Sequence, residues 1–269
     1  MKKAQYYYWA IVLAFGFGLY TYKYHFYTPS PIEVDDRYFK VPRIGQNLMR
    51  QSLQPYDQNH LWSGNNHVMG KFPFTDYIYI DGEPAIFPGD DFFTPPSFWW
   101  DTREEFYPLD GLQLKIGYDT YIKGLYNGQG KAHIPVFIVN ETSSTKYLYG
   151  RREYVSTMIE AKDRDGIWRP IEYASGIIGC LNGVGFIKIH PKEFCVVAVP
   201  VFRGDFKTQI RVKLKNRHSI LISEAFPGQI NEAQFKFKAG NWLKDSLQED
   251  PWCKFPYWFL GSVPLEFAR

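Results

Sequence analysis

Cysteine is scarce in this chain, with three among 269 residues. So few exclude the disulfide-dense scaffold that staples small secreted domains together. An odd number leaves one thiol over if a single bond forms outside the cytoplasm. Cys180 and Cys195 would close a loop of about 15 residues, for which chain entropy gives ~3 kcal/mol. Cys253 is an equal partner for either, and Cys195 inside "EFCVVAVP" also fits a buried small hydrophobe.

Catalytic spacings are missing as well. The sequence contains no G-x-S-x-G, no H-E-x-x-H and no C-x-x-C, which removes the common signatures of hydrolases, zinc proteases and dithiol sites. His60 and His67 in "NHLWSGNNH" have no acid or cysteine at ligand spacing, so no metal site is expected. Nothing points to a cofactor: Gly128-Gln129-Gly130 and Gly183-Val184-Gly185 lack the third glycine of a nucleotide-binding loop. "DRDGIW" lacks the first acidic ligand and the closing glutamate of a calcium loop, and reads as a hairpin turn. Arg203-Gly204-Asp205 matches an adhesion tripeptide, yet Gly and Asp there more simply shape a turn between strands.

The charge does not lean either way once the N-terminus is set aside. Residues 1–23 hold three of the 31 basic residues and no acid, leaving 28 bases against 28 acids. That balance argues against nucleic acid as a partner, because such binding needs an excess of Lys and Arg over the phosphates.

Long apolar runs are scarce, with one exception. "AQYYYWAIVLAFGFGLYTY", Ala4 to Tyr22, carries no charge and lies between Lys3 and Lys23. As a helix it would be roughly 28 Å long, close to the hydrocarbon core of a bilayer. Tyr6, Tyr7, Tyr8 and Trp9 sit at one end and Tyr20, Tyr22, Tyr24, Phe26 and Tyr27 at the other, as two interfacial belts would require. The following "TYKYHFYTPSP" offers bulky rings where a signal peptidase needs small residues. The expectation is an uncleaved single-pass signal-anchor. Lys2 and Lys3 before the span place the N-terminus in the cytoplasm and the remaining chain outside.

What is abundant is aromatic: 19% of residues are Phe, Trp or Tyr. Residues 24–108 read as a spacer followed by an aromatic, proline-rich and acidic subdomain without regular pattern. From residue 109 the pattern becomes regular. "LQLKI", "HIPVFIVN", "YVSTMIEAK", "GFIKI", "FCVVAVP" and "TQIRVKLKN" read as strands, followed by "SILIS" and "AQFKFK". In "TQIRVKLKN", Ile210, Val212 and Leu214 face inward and Arg211, Lys213 and Lys215 face water. The fold class is therefore mainly β: a β-sandwich over 109–239, with the spacing of strands and turns found in all-β sandwiches. In architecture it resembles immunoglobulin and fibronectin domains, without the Cys…Trp…Cys spacing of the former. Over 240–269, Asn241 caps a short helix and an apolar tail packs back on the domain.

Three surfaces follow. Trp99, Trp100 and Asp101 lie in a stretch rich in acids, and exposed rings beside carboxylates are what glycan binding uses; the same rings also suit a small core. Arg211, Lys213 and Lys215 form a basic strand face suited to docking an acidic partner. The third is the bilayer contact of residues 4–22. Together these imply a membrane-anchored, non-catalytic component of a cell-envelope assembly, with other envelope proteins as partners. The alternative is a tethered carbohydrate-binding or carbohydrate-cleaving protein using Trp99 and Trp100.

Overall fold

The alternation in "TQIRVKLKN" produces one of the longest strands of the computed structural model, Phe206–Asn216. The structure describes residues 38–46, 55–56, 62–63, 66–80, 91–93, 111–126, 129–151, 154–173, 184–216, 219–249 and 259–268. The span Ala4–Tyr22 lies outside these residues, as do Trp99, Trp100, Asp101, Cys180 and Cys253. Among the described residues no helix is long and apolar enough to cross a membrane.

In chain order the strands are β1 (Arg43–Gln46), β2 (Trp62–Ser63), β3 (Val68–Pro73), β4 (Tyr77–Ile80), β5 (Phe92–Phe93) and β6 (Leu112–Ile116). There follow β7 (Ile122–Tyr126), β8 (Gln129–Asn140), β9 (Lys146–Arg151), β10 (Tyr154–Lys162), β11 (Trp168–Pro170) and β12 (Glu172–Tyr173). The last are β13 (Val184–Ile189), β14 (Glu193–Pro200), β15 (Phe206–Asn216), β16 (Ser219–Ile222) and β17 (Phe226–Ile230). A helix, α1 (Trp242–Glu249), comes near the C-terminus.

Two large antiparallel sheets result, beside two short parallel pairs, β1 with β4 and β12 with β2. The eight-stranded sheet runs β16-β15-β10-β9-β13-β5, with β17 also on β15 and β11 also on β10. The five-stranded sheet runs β3-β14-β8-β6, with β7 also on β8. Both are larger than the sheets of an immunoglobulin constant domain. Strands β3 and β5 come from the stretch expected to form a separate subdomain, yet they pair with β14 and β13. That stretch therefore contributes to the same sheets as the sandwich.

The runs "HIPVFIVN" and "FCVVAVP" are almost continuously apolar because both faces of the five-stranded sheet are covered. Val136, Ile138, Cys195 and Val197 point into the core shared with Ile159, Val212 and Leu214 of the other sheet. Phe137, Val139, Phe194 and Val196 point the opposite way, against Phe74, Ile78 and Ile80. There Phe39, Phe137 and Phe194 meet with centroids 5.1 to 5.7 Å apart, a range in which aromatic pairs attract beyond their area. Part of the aromatic excess is thus core.

Three expectations are corrected. Cys195 is a free thiol, wholly buried between the sheets, so the Cys180–Cys195 bond is absent; its burial pushes the thiol pKa up. "AQFKFK" is not a strand. Glu232–Phe235 forms a 3-10 turn because Asn231 accepts from the Ala233 N–H and Gln234 returns a side-chain oxygen to the Asn231 N–H, a capping box that overrides the alternation. Lys213 does not face water. Phe259, Leu260, Leu243 and Leu247 pack with Met158 on the outer face of the eight-stranded sheet, and Lys213 is buried beneath them.

Gly204 of the adhesion-like tripeptide is structural. A Cβ there would collide with the Ile230 carbonyl and the Asn231 nitrogen, both backbone and unable to yield. Gly204→Ala is expected to lower the unfolding free energy by more than about 1 kcal/mol, whereas exposed Asp205→Ala stays within about 0.5 kcal/mol. Urea unfolding of both variants checks this, and equal stability would show that the backbone approach does not matter.

Candidate functional site

A cleft of about 750 Å³ lies between the two sheets. Its floor is apolar, made by Ile134 of β8, Ile159 of β10, Ile210 of β15 and Phe202 beyond β14. Strand β17 supplies another wall, and its sequence explains the space. A side chain at Gly228 would strike Ile210; glycine leaves that volume open, and Pro227 is tolerated because β17 has one unpaired edge among the described residues.

The connection from β6 to β7 brings Tyr118 and Tyr121 to the cleft. The Gly117 N–H donates to the Pro135 carbonyl at 3.0 Å and the Thr120 N–H to the Gly117 carbonyl at 3.2 Å. This tight turn leaves Tyr118 and Tyr121 57% and 56% exposed, unlike the buried rings of the core. Tyr118 nonetheless lies parallel to Phe226 of the other sheet, centroids 6.5 Å apart and planes 8° apart. Rings from both sheets therefore meet beside the cleft.

The β10–β11 turn closes one side. Asp163 Oδ1 accepts from the N–H groups of Asp165 and Ile167 at 3.0 and 2.8 Å, and Oδ2 accepts from Arg169 Nε at 3.0 Å. Gly166 takes the left-handed conformation, φ +78°, that such a turn requires. Burial would raise the Asp163 pKa, but the Ile167 N–H, Arg169 and the Asp165 N–H hold it below the usual carboxylate value. Both carboxyl oxygens are committed, which removes the calcium-loop reading. Among the described residues no group of His, Cys, Asp and Glu could hold a metal ion.

The lining carries three cations, Lys162, Arg164 and Lys207, against Asp163. Two are engaged. Arg164 makes a bidentate pair with Glu232 at 2.6 and 2.8 Å, and Lys162 Nζ stands 5.2 Å from the Trp168 ring. Lys207 is exposed and has no ion pair among the described residues.

The buried titratable groups are placed for structure. His133 donates from Nδ1 to the Lys131 carbonyl at 3.1 Å, so its Nε2 accepts from the Tyr56 hydroxyl at 3.3 Å. Burial, only partly offset by the Lys131 carbonyl, lowers its pKa to about 4, so it stays neutral. Glu172 is wholly buried. Its Oε1 accepts from the Ile159 N–H at 2.9 Å, and burial, offset only in part by that N–H and by Asn66, raises its pKa to about 8.

Of the residues singled out by sequence, Arg211, Lys213 and Lys215 share a face of β15, and Arg211 and Lys213 belong to an internal network. Arg211 Nε is 2.6 Å from Glu160 Oε2, with its guanidinium 4.3 Å from the Trp168 ring. Lys213 Nζ lies 2.7 Å from Ser262 Oγ and 3.2 Å from both the Leu260 carbonyl and Glu160 Oε1. A serine–lysine contact can mark a nucleophile and its base. Here the three N–H groups of Lys213 have three acceptors, so the pair is a structural cation and its ligand. Lys215 is half-buried, and that burial lowers its amine pKa. Trp99, Trp100 and Asp101 lie outside the described residues. The cleft itself escaped sequence reasoning. Its signals were the tyrosines three apart after Gly117 and the Pro-Gly pair in "FPGQI". The chain matches no family model, no curated protein and no solved structure.

Glu172 makes stability depend on pH in a defined direction. Between about pH 6.5 and 8 the unfolded chain has released this proton while the folded chain keeps it, so stability falls as pH rises, by up to about 1.4 kcal/mol per unit. Glu172→Gln removes that slope. Unfolding free energies of both proteins across this window test it, and parallel curves would contradict the assignment.

Proposed function

We propose that this protein is a membrane-anchored, non-catalytic component of a cell-envelope assembly, and that its ectodomain works by holding an envelope constituent in the cleft between its sheets. The cleft carries this reading: an apolar floor, two exposed tyrosines and cations, in the size range of sites that bury a ligand, roughly 300–1,000 Å³. The apolar run Ala4–Tyr22 supports the anchor, N-terminus inside and sandwich outside, and the two-layer arrangement supports an immunoglobulin-like outline for the ectodomain.

Glycan binding is the second reading, because exposed rings such as Tyr118 and Tyr121 suit sugar faces. It is disfavoured at this cleft, where the lining carboxylate, Asp163, is already bonded to Arg169.

The test is native co-purification. The full chain, tagged at its C-terminus, is extracted in mild detergent, and both proteins and extractable small molecules are identified by mass spectrometry. A constituent near one-to-one with the wild type, and at least tenfold depleted with Tyr121→Ala/Lys207→Ala, is the expected result. An empty wild-type sample, or equal recovery with the variant, would overturn the reading.

A further inference from the structure

We infer that the occupant of the cleft is a single-chain amphiphile with one carboxylate, an apolar tail on the floor and the acid group at the Lys207 side; this rests on the binding reading above. Three observations point to that chemistry.

The floor recognises apolar bulk and little else. Strands β8, β10 and β15, which carry Ile134, Ile159 and Ile210, are each hydrogen-bonded to neighbours on both sides. Their backbones have no free ladder to offer a peptide, so at this cleft an extended chain could add only at the edge of β17 that is unpaired among the described residues, and not over the floor. Thr208 Oγ, the hydroxyl nearest that floor along β15, already donates to the Lys162 carbonyl at 2.7 Å. An aliphatic tail demands no hydrogen bond and gains from every apolar atom it covers.

The charge at the lining is one uncommitted cation. Arg164 belongs to Glu232 and Asp163 to Arg169, while Lys162 lies against Trp168. That leaves Lys207 as the lining cation with no ion pair or ring contact among the described residues, while Lys162 keeps its charge beside the ring, so the lining is net positive and suits an anion. The phenols of Tyr118 and Tyr121 are exposed and add O–H donors that a carboxylate accepts.

The shape also fits. The cleft holds about 750 Å³, and Gly228 keeps the approach to Ile210 clear.

The experiment uses the full chain in nanodiscs of neutral lipid, titrated with 11-(dansylamino)undecanoic acid, whose emission rises on leaving water, and with its methyl ester. Empty nanodiscs give the bilayer background. Saturable one-to-one binding above that background, at least tenfold tighter for the acid than for the ester, is expected. Lys207→Glu, an exposed substitution, should abolish that preference while leaving ester binding in place. Saturable binding with equal affinity for acid and ester would overturn the carboxylate assignment and leave the cleft as a binding site. Absence of saturable binding would overturn the amphiphile altogether, and a constituent still co-purifying in a cleft-dependent manner would then be of another class.

Discussion

Glu160 stands mid-strand in the eight-stranded sheet with its carboxylate 1% exposed, and Arg211, Lys213 and Ser262 all turn toward it. Strand β10 requires such an arrangement because both of its faces are buried: Ile159 and Ala161 meet the inter-sheet core, while Met158 and Glu160 lie under the C-terminal layer. Arg211 sits directly across the ladder from Glu160, so neutralisation is built into the strand register. The C-terminal residues complete it. Leu260 adopts φ +46°, a conformation that costs a residue with a Cβ roughly 1–2 kcal/mol, and its carbonyl receives the Lys213 ammonium. A buried ion pair adds little net stability, but removing one partner costs about 3–5 kcal/mol. The network's effect is therefore positional: it fixes the β10–β15 ladder and the tail that covers it.

That ladder also positions the cleft. Ile159 and Ile210, on the floor, belong to the same two strands as Glu160 and Arg211, one residue along and on the opposite face. The inner side of the ladder is left apolar because its charges are gathered outside. At its end the Asp163 turn and the Pro-Gly pair of β17 keep the space from being filled. Exposed tyrosines and Lys207, which has no ion pair among the described residues, then give the apolar floor a polar margin, the combination that the proposed amphiphile requires.

Much of the β framework was legible in the sequence because period-two alternation survives in β6 and β15, and because Asp163 and Gly166 suit a hairpin turn better than a calcium loop. Strand β17 was hidden by Pro227 and Gly228, the residues that make it a cleft wall. The 3-10 turn at Glu232–Phe235 was hidden because alternation in "AQFKFK" masks a local capping box. Arg211, Lys213 and Lys215 alternate with Ile210, Val212 and Leu214, but the expectation that they face water fails at Lys213, because nothing local tells that a tail some 50 residues later returns to cover it. Exposure of Tyr118 and Tyr121 is likewise tertiary. Tyr38, Tyr77 and Tyr79 are exposed as well while Tyr56 is buried, so residue type alone does not tell which rings reach the surface or which of them stand beside the cleft.

The most direct measurement is photo-crosslinking in intact membranes from a benzoylphenylalanine placed at Gln229, in the cleft wall, against one at Asp245 on the exposed side of α1. The account requires a discrete adduct from Gln229 that Asp245 does not give and that Lys207→Glu diminishes. Labelling from Asp245 alone, or the same adduct from both positions, would mean that the protein meets its partner elsewhere and that the cleft is not its working surface.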